Sequence, residues 1–177
     1  MTRRKILLIS ARGFVTVALA SFAGHRPALA IGLDEEQAIL ANTLSNAKVS
    51  LQQGFMASER EGQPISGKFE VDNGKLQLSV YTAKERKFFE VIVDHMTGNV
   101  AKVEPITEGE DLTHAKAQKA AMERAKVKLA DAATKAKGQV ADVLVVSAVP
   151  ELKNDRPEVA VVLLQGKRFS TASQPLD

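Results

Sequence analysis

The run Lys87-Phe-Phe-Glu-Val-Ile-Val93 enters Asp94-His-Met-Thr-Gly98 and leaves through Asn99-Val-Ala-Lys-Val-Glu104. It reads as a strand, a tight turn and a return strand, so it commits this part of the chain to an antiparallel sheet. Phe89, Val91 and Val93 fall on one face because side chains alternate along a strand. An Asp at the start of such a turn accepts hydrogen bonds from backbone N–H groups two or three residues on, and a Gly at its end takes the left-handed conformation. Asp94, Thr97 and Gly98 are therefore read as a structural turn and not as a catalytic group.

The segments before this point fit the same sheet. Phe69 and Val71 alternate with Lys68, Glu70 and Asp72. Asp72-Asn-Gly-Lys75 is a two-residue hairpin signal, since Asn73-Gly74 tolerates positive φ, and Leu76, Leu78 and Val80 continue the alternation. Upstream, Asp34 is expected to cap a helix whose stripe is Leu40, Leu44, Ala47, Leu51 and Phe55, with Gln37 completing a capping box. That helix is expected to end near Glu59–Gly62.

After an acidic connector the pattern restarts. Thr113 is expected to cap an Ala-rich helix reaching about Ala136, striped by Ala115, Gln118, Met122, Ala125, Leu129, Ala132 and Ala136. Val140–Val149 is expected as a strand, 150–157 as a polar loop, Val159–Leu164 as a central strand, and a last strand around Phe169. Leu33 matches Leu112, Ala47-Lys-Val-Ser-Leu51 matches Ala125-Lys-Val-Lys-Leu129, and Gly62-Gln63 matches Gly138-Gln139. The order of elements and these matches predict an internal repeat. The expected fold class is α+β, with two repeats of one helix packed on a small antiparallel sheet.

The first thirty residues have a different character. Met1-Thr-Arg-Arg-Lys5 is a basic start, Ile6–Ala23 is largely apolar, and Ala28-Leu-Ala30 is a small-x-small site, which together predict a secretory signal cleaved between Ala30 and Ile31. Arg3 and Arg4 also fit a twin-arginine signal, so folded export and the general route both stand open. The apolar part is interrupted by Arg12 and too short for a membrane span, so no stable membrane anchor is expected. Five of the 24 Lys and Arg lie in this leader and none of the 21 Asp and Glu. Cleavage leaves 19 against 21, a net charge near −2, so the positive formal charge of the whole chain comes from the leader, and nucleic-acid binding is not expected. The address is periplasmic or secreted. The chain has no Cys, which excludes disulfides, a thiol nucleophile and zinc–thiolate sites.

Residues 34–106 resemble a PepSY domain, on the helix, the alternating strands and the ending Val93-Asp-His-Met-Thr-Gly-Asn-Val100. Asp94, Thr97 and Gly98 match the family's Asp-x-x-Thr-Gly turn. Residues 31–106 then form one PepSY-like unit and 107–177 a degenerate second, which keeps the helix and strands and lacks that turn. The resemblance implies a non-catalytic exported module, often proposed to inhibit or regulate peptidases, with a protein partner.

No residue pattern offers an enzyme. There is no Gly-x-Ser-x-Gly elbow and no phosphate loop. His95 and His114 lack the spacing of a metal pair, and the acidic pairs Glu35-Glu36 and Glu110-Asp111 suit helix starts. No catalytic residue, cofactor or metal ligand is assigned. The expected function is a protein-binding module regulating or inhibiting a peptidase or other envelope protein. The alternative is a periplasmic small-ligand or metal-binding carrier.

Overall fold

The computed structural model describes residues 30–177. Arg3, Arg4 and the rest of the leader lie outside the described residues, and the Ala30–Ile31 bond falls in the first turn of the first helix. The fold is α+β: helices α1 (Ala30–Leu44), α2 (Leu51–Ser58), α3 (Gly109–Arg124) and α4 (Leu129–Lys137), with strands β1 (Gln63–Asp72), β2 (Lys75–Lys84), β3 (Lys87–Val93), β4 (Val100–Ile106), β5 (Val143–Lys153), β6 (Arg156–Gln165) and β7 (Arg168–Pro175). All seven strands join one antiparallel sheet in the order β4-β3-β2-β1-β5-β6-β7.

Each expected long helix is instead a pair. The apolar stripe through Leu44, Ala47 and Leu51 is interrupted because Ser50 caps a new helix: its Oγ accepts from the Gln53 N–H (3.3 Å) and Gln53 Oε1 accepts from the Ser50 N–H (2.8 Å). The Lys48 and Val49 N–H groups bond outside the helix, to the His95 carbonyl at 2.9 and 3.0 Å. The second break is held in the same way. Lys126 and Val127 donate to the Leu176 carbonyl at 2.6 and 3.2 Å. Neither expected cap serves as one: α1 begins before Asp34, and Thr113 lies inside α3, its hydroxyl donating back to the Gly109 carbonyl. Glu35-Glu36 accordingly sits within α1, whereas Glu110-Asp111 occupies the first turn of α3.

The expected loop at 150–157 is mostly strand. β5 and β6 meet at a two-residue turn, Asn154–Asp155, with φ of 49° and 68°. Asn73–Gly74 (49° and 75°) joins β1 to β2 in the same way. β6 is apolar on both faces as expected, yet it lies between β5 and β7, and the centre of the sheet is β1.

The core sits between α2, α4 and the sheet. Leu51, Phe55, Leu78, Val80, Val91, Val159 and Val161 are buried, and side chains of this size contribute about 1.5–3 kcal/mol each on full burial. Gly67 makes the close approach of α2 feasible: a Cβ there would lie 2.6 Å from Phe55 Cε1. Gly67 and its ladder partners Val80 and Ala148 thus mark the helix face of the sheet. The first half meets the second through a narrow seam, Gly67 opposite Ala148 and Lys68 opposite Ser147, flanked by register shifts at Ile65 and Val146.

Candidate functional site

The Asp-x-x-Thr-Gly turn lies between β3 and β4. Asp94 Oδ1 accepts from the N–H groups of Met96 (2.7 Å) and Thr97 (3.0 Å). The Met96 bond, followed by the Thr97 bond, holds the carboxyl below its ordinary range. Gly98 has φ 79° and donates to the Asp94 carbonyl at 2.8 Å. The Thr97 hydroxyl accepts from the Asn99 N–H at 3.3 Å. The turn presents the His95 carbonyl to the α1–α2 break, so its chemistry is that of a joint. His95 Nδ1 is enclosed and has no hydrogen-bond partner, whereas His114 is exposed on α3. Among the described residues, no group of three or more His, Asp or Glu is placed to hold a metal ion, and no helix is long and apolar enough to cross a membrane.

A denser polar constellation occupies the opposite face of the sheet. Alternation turns Lys68 and Glu70 of β1, Gln77, Ser79 and Tyr81 of β2, and Glu90 of β3 away from α2. Register then brings them together, with Lys68 opposite Ser79, Glu70 opposite Gln77 and Tyr81 opposite Glu90. Lys68 Nζ sits 2.6 Å from Glu70 Oε2 and 6.0 Å from the centre of the Tyr81 ring. Ser79 donates to Glu70 (3.0 Å) and accepts from Gln77 (2.9 Å). On the next strand, Glu104 faces Glu90 and pairs with Lys102 at 2.8 Å.

Burial pushes the Glu90 carboxyl up, and the nearby charges of Glu70 and Glu104 add to it, while the Ser79 hydroxyl and Lys68 oppose it. Burial likewise raises the Tyr81 hydroxyl, and the carboxylates of Glu90, Glu70 and Asp111 raise it further. The cluster therefore carries more carboxylates than cations, and burial disfavours the charge of Glu90 among them. Helix α3 reaches this same face, because Ser66, the ladder partner of Tyr81, donates to Gln118 at 2.7 Å. The face is thus partly covered, and Ser66 and Ser79 are buried on it.

These polar residues carried no motif and drew no assignment from sequence. Their alternation with Phe69, Val71, Leu78 and Val80 was visible, but which polar residue stands beside which depends on register. A separate cleft of about 500 Å³ lies where the α3–α4 break passes the start of β1. Phe55, Met122, Val127 and Leu129 line it, and Glu59 and Lys128 approach to 3.5 Å beside it.

No family model, no curated protein and no solved structure matches the chain.

Proposed function

We propose that this chain is an exported, non-enzymatic protein-binding module of the PepSY type that regulates or inhibits a peptidase or another envelope protein. The observation that carries the reading is the polar cluster of Lys68, Glu70, Ser79, Tyr81 and Glu90. A sheet face that only had to fold would be apolar or freely solvated. Here Glu90 and Tyr81 are partly desolvated beside Glu70 on a surface that a partner can still reach, and such perturbed groups gather at functional sites. A partner presenting cationic or hydrogen-bond-donating groups would relieve that crowding on binding.

The module is a duplication. Its strand halves recur 81 positions apart: the hairpin turn at 73–74 and 154–155, the register shift at Ile65 and Val146, β2 at 75–84 and β6 at 156–165, and the carbonyls of His95 and Leu176 that hold the helix breaks. Ala-Lys-Val-x-Leu marks the break at both 47–51 and 125–129. The Gly62-Gln63 and Gly138-Gln139 match does not belong to this frame, since Gln63 opens β1 and Gln139 precedes β5 by several residues. Because β1 and β5 run antiparallel, the two halves are related by an approximate two-fold axis normal to the sheet.

The test is to measure the rates of a panel of periplasmic peptidases, and direct binding to each, with the purified protein and with Glu70→Lys/Glu90→Lys. The expected result is inhibition or complex formation that the variant loses while its thermal midpoint holds. No complex and no rate change with any peptidase, or binding untouched by the variant, overturns the proposal.

The cleft beside Phe55 and Met122 supports a second reading, a small-ligand carrier. Native mass spectrometry of protein purified from the envelope checks it, and an empty protein counts against it.

A further inference from the structure

We propose that β7 is the contact edge of a homodimer, in which the sheets of two copies join through antiparallel β7–β7 pairing. The two outer strands of the sheet differ in kind. β4 carries Lys102, Glu104 and Pro105, devices that keep an edge from pairing with another chain. β7 carries Arg168 and Pro175 only at its two ends, and between them runs Phe, Ser, Thr, Ala, Ser and Gln with no charge. The first half also shows what an edge at this position accepts, because β3, 81 positions before β7, carries β4 as an antiparallel neighbour.

The outward groups of β7 follow from its register. Gln165 and Arg168 flank a two-residue turn, so that pair exchanges both of its hydrogen bonds and the pattern alternates from there. Arg168, Ser170, Ala172 and Gln174 bond inward to β6, consistent with the Leu176 N–H donating to the Pro157 carbonyl at 2.9 Å. Phe169, Thr171 and Ser173 direct N–H and C=O outward, and Thr171 and Ser173 are exposed.

The identity of the occupant follows from charge. Pairing that sets Thr171 against Ser173 of a second copy, with Ala172 on the two-fold axis, forms about six backbone hydrogen bonds. The same register places Lys167 of each copy across from Asp177 of the other. Asp177 is exposed and already meets Arg156 at 2.9 Å, so each end of the joint would set Lys167 of one copy beside the Asp177–Arg156 pair of the other. A strand that is uncharged between Phe169 and Gln174, with Lys167 before it and Asp177 after it, brings those two opposite charges together when it pairs antiparallel with its own copy.

Sedimentation velocity of the purified protein over a concentration series tests the proposal. The expected result is a reversible monomer–dimer equilibrium. Thr171→Pro removes only an outward N–H and should raise the dissociation constant by about tenfold or more, a change of about 1.4 kcal/mol, with the far-ultraviolet circular dichroism retained. Lys167→Glu should weaken the dimer, and Lys167→Glu/Asp177→Lys should restore it. A monomer at every concentration overturns the proposal, as does a dimer that neither Thr171→Pro nor Lys167→Glu affects. Peptidase binding by a strictly monomeric protein would overturn the dimer alone and leave the regulatory reading standing.

Discussion

At the scale of single residues, two acidic side chains respond to opposite environments. Asp94 lies at the surface, half-exposed, and collects two backbone N–H bonds, which favour its charged form. Glu90 is half-buried between like charges, which disfavours it. The consequence for stability has opposite signs. A carboxyl whose folded pKa is depressed adds stability that is lost as pH falls. One whose folded pKa is raised adds stability that is present below its unfolded value, about 4.3 for Glu, and lost as pH rises through its folded value. Glu90→Gln cannot ionise, so it should lose less stability than the wild type as pH is raised from about 4 toward neutrality. Thermal midpoints of both proteins across that range check this, and parallel pH profiles would show that Glu90 ionises in the fold as it does in water. The sequence marked Asp94, Thr97 and Gly98 because their interactions are local. Glu90 has no comparable signature, because its neighbours Tyr81, Glu70 and Glu104 come from three other strands.

At the scale of elements, the least legible features were the helix breaks. Helical periodicity runs through Leu44, Ala47 and Leu51 and again through Met122, Ala125 and Leu129, and nothing in those stripes announces a stop. The first break is partly written in the chain, as Ser50 and Gln53 form a capping box. Ser50→Ala should cost about 1 kcal/mol, measured by chemical denaturation at constant transition slope. An unchanged midpoint would mean that the His95 carbonyl alone holds the break. The second break has no side-chain cap at Lys128 and depends on the Leu176 carbonyl, which accepts from the Lys126 and Val127 N–H groups. The hairpins show the same division. Asn73-Gly74 announces its turn, whereas Asn154-Asp155 lacks Gly and read as part of a loop, although Asn and Asp also tolerate the left-handed region.

At the scale of the whole molecule, residues 38–177 form a single compact unit, in which α2 packs beside α4 and β1 pairs with β5. A core shared in this way should make the halves unfold as one cooperative unit. Tyr81 is the single Tyr in a chain without Trp, so its fluorescence reports the first half while circular dichroism reports both. The two transitions should coincide in denaturant, and separated midpoints would show halves that unfold independently. The sequence by itself determined the strands with polar and apolar alternation, the Asn73-Gly74 and Asp94–Gly98 turns, and the α+β class, because each follows from contacts within a few residues. Only the tertiary structure decided that the strands form one sheet, that the helices break, and that Lys68, Glu70, Tyr81 and Glu90 share a neighbourhood. Those outcomes depend on strand register and on hydrogen bonds between residues as far apart as Lys48 and His95, which no local spacing encodes.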